Sequence, residues 1–290
     1  METRPEDARS IAAQARARGA GSWRRTLRRL AMLAVCGFIL LLVAMMFMEE
    51  SLVFFPSRAA YGRWRRPGVD EVEFQSTDGT RLYGWYLPHP QPRAVLLFAC
   101  GNAGNITYRA ERLEQLRQDL KLTVFAFDYR GYGRSEGQPS EAGILLDARA
   151  ARSWLAQRAG VAEQEIVLMG ESLGGGVMVD LAGRDGARGL ILENTFTSLP
   201  DVAAYHYPWI PVRLLMRNRL DSLAKIRSYH GPLVQCHGDA DQIIPFAIGR
   251  KLFDAANQPK RFVHLPGHDH NDELPPEYMA ALDEFIGGLP

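Results

Sequence analysis

From residue 72 onward the apolar positions fall into short runs separated by longer amphipathic stretches. VEFQS (72–76) and TRLYGWYLP (80–88) flank the turn pair Asp78-Gly79, the signature of a β-hairpin. AVLLFAC (94–100), LTVFAFDY (122–129), EIVLMG (165–170), GLILENTF (189–196), PLVQCHG (232–238) and RFVHLPG (261–267) follow. These runs are almost continuously apolar, as parallel strands buried on both faces must be. Between them, residues 108–118, 141–158, 173–182, 246–256 and 277–286 carry helical periodicity. A hairpin followed by strand–helix alternation predicts an α/β fold: a mostly parallel sheet with an N-terminal antiparallel hairpin and helices on both faces. Residues 198–229, including AYHYPWIPVRLLM, interrupt the alternation without a strand and are expected to form a small lid over the strand ends.

Upstream the pattern is of another kind. Residues 30–48, LAMLAVCGFILLLVAMMFM, contain no charge and no strongly polar side chain. At about 1.5 Å per residue they make roughly 28 Å of helix, matching the hydrocarbon thickness of a bilayer. Arg24, Arg25, Arg28 and Arg29 precede the run, Glu49 and Glu50 follow it, and Trp23 sits at the basic end where an aromatic anchor is expected. A cleaved signal peptide has a shorter apolar region and a small-x-small cleavage site, whereas this run ends in MMFMEES. An uncleaved single-pass anchor fits better than a signal peptide or a buried core helix. The expected organisation is a basic tail (1–29), an anchor (30–48), an amphipathic connector (49–70) and a catalytic domain (71–290) with a lid at 198–229. The positive-inside bias puts the N-terminus in the cytoplasm and the domain on the far side, although Arg58, Arg63, Arg65 and Arg66 weaken the asymmetry.

Charge sharpens this division. The 290 residues carry a formal net charge of +1. Residues 1–29 hold eight Arg against three acids, net +5, which leaves the remainder at −4. A mildly acidic body lacks the clustered basic surface that nucleic acid requires. Cys36, Cys100 and Cys236 are too few for a disulfide framework, and no C-x-x-C or H-E-x-x-H offers a metal site. No internal repeat argues for a solenoid or propeller.

Gly170-Glu171-Ser172-Leu173-Gly174 reads G-x-S-x-G and stands directly between an apolar strand and a helix. That context suits a sharp turn presenting a serine hydroxyl above the sheet, with the Leu173 N–H free at the helix start to bind an oxyanion. A serine hydroxyl needs a base, and the base an orienting acid. In this architecture the order is Ser, acid, His, each at a strand end. Asp239 and Asp241 follow PLVQC; His268 and His270 follow RFVHLPG.

With CGNAGN (100–105), DYRGYGRSEG (128–137), GESLGG (170–175), HGDADQIIP (237–245) and DHND (269–272) in order, the body from about residue 52 resembles the α/β-hydrolase superfamily. It is similar to the membrane-associated branch of Bem-type and serine-aminopeptidase-like hydrolases. The resemblance implies Ser172 as nucleophile, Asp241 as acid and His270 as base. It implies that the second oxyanion donor comes from residues 101–103, as the N–H of Asn102. Asp239 is then a turn cap and His237 a structural hydrogen-bonder, while His268 remains a rival base and Glu193 a rival acid. The family usually reads H-G-N-A-G-N, and Cys100 replaces that His, which removes a side chain that would position the loop. Arg130, Arg134 and Glu136 suit a rigid loop held by ion pairs. Tyr205, Tyr207, Trp209 and Ile210 either line an acyl pocket or pack against the domain. The expected activity is cleavage of an ester, thioester or amide through an acyl-enzyme, without metal or cofactor, on a small-molecule or acylated substrate at a lipid bilayer. An aminopeptidase-like peptidase and a non-catalytic module keeping the fold are the alternatives.

Overall fold

The computed structural model describes residues Pro5–Pro290 and divides into two compact units, one ending at Glu49 and one running from Glu50 to Pro290. Residues 1–4 of the basic tail lie outside the described residues.

The first unit is a single helix, α1 (Pro5–Phe47), which continues through the basic stretch as well as the apolar one. Its segment Leu27–Phe47 has a mean hydropathy of 2.8 and is long and apolar enough to cross a membrane. None of that segment is buried by protein, so its leucines, valines and methionines have no core to enter.

The second unit is built on an eight-stranded sheet. Its strands are β1 (Asp70–Gln75), β2 (Arg81–Leu87), β3 (Ala94–Ala99), β4 (Leu122–Asp128), β5 (Val167–Glu171), β6 (Gly189–Glu193), β7 (Leu233–Gly238) and β8 (Lys260–Leu265). Their spatial order is β8-β7-β6-β5-β3-β4-β2-β1. β1 and β2 form the expected antiparallel hairpin, β2 joins β4 antiparallel, and all other pairings are parallel. β3, β4 and β6 are buried at every position, which is why their sequences do not alternate.

Helices cover both faces. α3 (Glu141–Ala159) and α4 (Leu173–Asp185) pack on one side, with Leu97, Phe125, Leu168, Val177 and Leu192 in that core. α2 (Ala110–Asp119) and α7 (Pro276–Gly287) pack on the other, over Leu96, Phe98, Val124, Met169 and Ile191. α3 is punctuated as its sequence suggests: the Ser140 hydroxyl accepts from the Gly143 N–H (3.2 Å), and Gly160 closes the helix at φ +69°. α6 (Phe246–Ala255) lies between β7 and β8.

Two segments differ from simple loops. Residues 198–229 form α5 (Leu199–His206) and short helical turns with no strand. Residues 50–69 belong to the second unit: Phe55–Pro56 pairs in parallel with Ala103–Gly104, in the loop that follows β3.

Candidate active site

β5 ends at Glu171 and α4 begins at Leu173, so Ser172 alone makes the turn, at φ +52° and ψ −114°. A non-glycine residue in this region is strained, and strain of this kind persists where surrounding structure dictates it. The dictating contacts are visible. A Cβ on Gly170 would sit 2.3 Å from the Gly174 carbonyl oxygen, and one on Gly174 would sit 2.1 Å from the Ala99 carbonyl oxygen. Helix α4 therefore lies directly against β5 and the end of β3, at a separation only glycine permits. The Ser172 N–H donates to the Glu193 carbonyl (2.8 Å), and the Thr195 hydroxyl donates to the Ser172 carbonyl (2.8 Å).

The ends of β7 and β8 bring Asp241 and His270 to this turn. The Ser172 hydroxyl donates to His270 Nε2 (3.0 Å), and His270 Nδ1–H donates to Asp241 Oδ2 (2.7 Å). Facing a carboxylate, Nδ1 carries the proton, which leaves Nε2 as the acceptor. The Asp241 side chain is wholly buried and that of His270 nearly so. Burial alone would raise the Asp241 carboxyl; hydrogen bonds from His237 and His270, the imidazole charge and the Ile244 N–H outweigh it and hold the group well below the usual range. Its other oxygen accepts from the N–H groups of Ile243 (2.9 Å) and Ile244 (2.7 Å).

The rival groups lie elsewhere. Asp239 accepts from the Gly267 N–H (2.6 Å) and from His264 Nε2 (2.9 Å), tying β7 to the turn after β8. His268 Nδ1 meets the Pro266 carbonyl (3.1 Å). Glu193 pairs with Arg112 (2.8 Å), so it is held by a guanidinium and not by loop amides. His237, fully buried beneath the site, donates through Nε2 to the Ile244 carbonyl (2.8 Å) and lies 3.3 Å from Asp241.

Leu173 occupies the first turn of α4, where a backbone N–H has no intrahelical partner. Opposite it runs the loop after β3, and here the side chain of Asn102 has a role the sequence did not announce. Its Nδ2 donates to the Val53 carbonyl (2.6 Å), while its Oδ1 accepts from the Phe55 N–H (3.1 Å) and the Tyr132 hydroxyl (2.8 Å). The Tyr129 hydroxyl donates to the Cys100 carbonyl (3.0 Å). These four bonds position the loop without the histidine that Cys100 replaces. The Cys100 thiol is buried and pushed up by that burial, which keeps it protonated and unreactive.

The 128–137 loop is held by ion pairs, through partners remote in sequence. Arg130 forks onto Asp147 (Nη2–Oδ1 2.8 Å) and reaches Asp78 (2.8 Å), Arg134 meets Glu71 (2.7 Å), and Glu136 pairs with Arg81. Beside Ser172, Arg109 holds Glu171 through two parallel contacts, one of them Nε–Oε2 at 2.7 Å.

Two positioning residues escaped the sequence patterns. Asn194, at φ +45°, donates from Nδ2 to the His270 carbonyl (3.1 Å) and accepts at Oδ1 from the Gly238 N–H (3.2 Å). Asp269 accepts from the N–H groups of Gln242 (2.9 Å) and His270 (2.7 Å), joining the loops that bear the acid and the imidazole; these bonds hold its own carboxyl below the usual range. Their only sequence signals are an Asn directly after a strand and an Asp directly before a His. The aromatic residues of the lid follow neither expectation uniformly: Ile210 is buried, whereas Tyr205, Tyr207 and Trp209 are exposed at 62%, 51% and 62%.

A parallel sheet with an N-terminal antiparallel hairpin, and a serine on a strained strand-to-helix turn within reach of an imidazole, define the hydrolase class built on this topology. The chain belongs to the α/β-hydrolase family. It is 34% identical over 223 residues to the alpha/beta hydrolase domain-containing protein WAV2 of Arabidopsis thaliana, covering 70% of this chain and 72% of that one. An uncharacterized protein of Mycobacterium tuberculosis is 41% identical over 228 residues, 77% of this chain and 81% of that one. The family model described as Serine aminopeptidase, S33 matches residues 90–228, a span that includes Ser172 and stops short of Asp241 and His270. Among solved structures, the Pyrococcus furiosus esterase Pf2001 superposes with a TM-score of 0.66 at 18% identity, over 81% of this chain and 99% of that one, a likeness of fold.

Proposed function

We propose that the chain is a serine esterase held at a membrane by Leu27–Phe47. The observation that carries this reading is the unbroken relay from the Ser172 hydroxyl through His270 to Asp241, at 3.0 and 2.7 Å, on a nucleophile turn at φ +52°. His270 takes the Ser172 proton as the oxygen attacks the ester carbonyl, and Asp241 stabilises the imidazolium. The N–H groups of Leu173 and Asn102 receive the oxyanion. His270 returns the proton to the leaving alcohol, then activates water to release the acid and restore Ser172. The proton relay uses groups already in hydrogen-bond reach of one another.

Ester cleavage is preferred over peptide cleavage for a specific reason. An aminopeptidase needs an anionic pocket for the substrate ammonium. In the lid, Asp201 is taken by Arg213 and the Thr197 hydroxyl, and Asp221 caps a helical turn through the Ala224 N–H. The membrane reading rests on the hydropathy and exposure of Leu27–Phe47 and is in keeping with an uncharacterized membrane protein of Saccharomyces cerevisiae, 30% identical over 256 residues. The arginines before the span favour a cytoplasmic N-terminus with the body on the far side.

A fluorophosphonate probe should label the wild-type protein and not Ser172→Ala, and unlabelled wild-type protein should hydrolyse chromogenic esters faster than aminoacyl amides. His270→Ala should abolish turnover while His268→Ala retains most of it. No Ser172-dependent labelling would indicate a non-catalytic module, and an amide preference would indicate a peptidase. Protection of the body from protease added to the cytoplasmic side checks the orientation.

A further inference from the structure

Two segments remote in sequence leave large apolar side chains in water. The connector exposes Leu52 (48%) and Phe55 (57%); the lid exposes Tyr205, Tyr207, Trp209 and Leu214, the last at 86%. Both segments are bonded to loops that carry the candidate site. Val53 and Phe55 bond to Asn102 on the candidate oxyanion loop. At the end of α5, His206 Nε2 donates to the Ile243 carbonyl (2.8 Å), and the Ile243 N–H in turn donates to the Asp241 carboxylate (2.9 Å). The far end of the lid reaches the connector, where Arg217 pairs with Glu50 (3.2 Å).

Covalent continuity fixes what this face meets. Glu50 lies three residues beyond the end of the apolar helix at Phe47, so the chain confines it within about 10 Å of that end. From Glu50 the structure leads by one ion pair to the lid and by a few residues to the oxyanion loop. If Leu27–Phe47 spans a bilayer, Glu50 and the Arg217 that pairs with it stay within reach of that bilayer's surface. The side chains match the place: Tyr and Trp favour the headgroup layer, where an apolar ring and a polar edge are both satisfied.

We propose that the lid edge formed by Tyr205, Tyr207, Trp209 and Leu214 inserts into the headgroup layer of the membrane that α1 spans, and that the substrate is an acyl ester entering from the lipid phase. This deepens the esterase reading and rests on it and on the span. A substrate dissolved in water needs no such rim. An acyl chain leaving the bilayer would meet apolar side chains of the lid before it reached bulk water.

The test uses the full chain reconstituted in vesicles of phosphatidylcholine and phosphatidylglycerol. The emission that distinguishes wild type from Trp209→Phe isolates Trp209 from the other four tryptophans. Lipids brominated near the headgroup end of the acyl chain should quench that difference emission. The triple variant Tyr205→Ser/Trp209→Ser/Leu214→Ser should lose at least about tenfold in kcat/KM on a long-chain ester presented in the vesicles, a change of ~1.4 kcal/mol. It should keep wild-type hydrolysis of a soluble acetyl ester. Unquenched Trp209, or equal losses on the two esters, would overturn the proposal. Fluorophosphonate labelling of Ser172 and resistance of the chain to alkaline extraction monitor the esterase and span readings separately, and quenching reports on insertion whether or not the protein turns over.

Discussion

Gly174→Ala should separate the two halves of the proposed oxyanion site by a single methyl group. The added Cβ would lie 2.1 Å from the Ala99 carbonyl oxygen and 2.7 Å from that of Cys100, where ordinary contact begins near 3.4 Å. Both opposing atoms are backbone, and Ala99 is anchored between β4 and β5, so no rotamer change relieves the clash. The helix start and strand end must move apart by about 1 Å, a displacement that costs on the order of a hundredfold in rate when it affects catalytic geometry. Losing one oxyanion donor costs about 10²–10³ in kcat, which sets the upper end. Overpacking should destabilise the fold by ~1–3 kcal/mol, leaving it folded at ambient temperature. Gly79→Ala is the control: it has φ +86° but no atom within 4 Å, so it bears only backbone strain, of ~1 kcal/mol, at the hairpin tip. The assay is kcat/KM on a short soluble ester, together with the rate of fluorophosphonate labelling, which depends on the same donors. Both should fall together in Gly174→Ala with KM little changed, and neither in Gly79→Ala. A folded Gly174→Ala within threefold of wild type, or a matching loss in Gly79→Ala, would refute the reasoning.

Other perturbations separate stability from chemistry. Arg112→Met strands the Glu193 carboxylate, which is 4% exposed, and should cost ~3–5 kcal/mol by thermal or denaturant unfolding; Arg112→Met/Glu193→Leu should recover much of that loss. Asn194→Ala frees the His270 carbonyl and the Gly238 N–H, and should lower kcat by about tenfold or more with little change in KM, since ~1.4 kcal/mol is tenfold and each lost bond is worth about that. Asp241→Asn should lower kcat by around 10⁴ if it acts as the orienting acid of a serine triad does. The Asp241 carboxyl is depressed in the folded state, so its contribution to stability is complete above its ordinary pKa of 3.8 and fades only as pH falls through the lower folded value. Asp241 should therefore stay ionised between neutrality and pH 4.5, and no unfolding transition in that window should depend on it; one that Asp241→Asn removes would contradict the pairing.

The strand runs in β3 to β7 and the hairpin at Asp78-Gly79 could be read from the chain because local forces make them: burial on both faces removes polar residues, and a tight turn demands glycine at φ +86°. The nucleophile turn was legible for the same reason, since its glycines answer to backbone approaches of 2.1 and 2.3 Å. Asn194 was not, because its partners are 44 and 76 residues away and nothing local marks it. The Arg112–Glu193 pair, 81 residues apart, was hidden likewise, and Glu193 was open to being read as an acid. The lid aromatics show a different limit. Hydrophobicity predicts that a residue leaves water, but when neither strand nor helix periodicity orients it, composition does not say which surface receives it.

The bonds from Asn102 to Val53 and Phe55 make the stretch that follows the apolar helix a structural part of the candidate site. A protease that cleaved after Pro56 would shed a globule with its sheet, nucleophile and imidazole intact, yet with its oxyanion loop deprived of two of its fastenings. Release into solution and loss of activity would then be one event. A membrane-held hydrolase built this way would carry its own confinement: it would work where it is tethered and fall silent when it escapes, with no inhibitor needed.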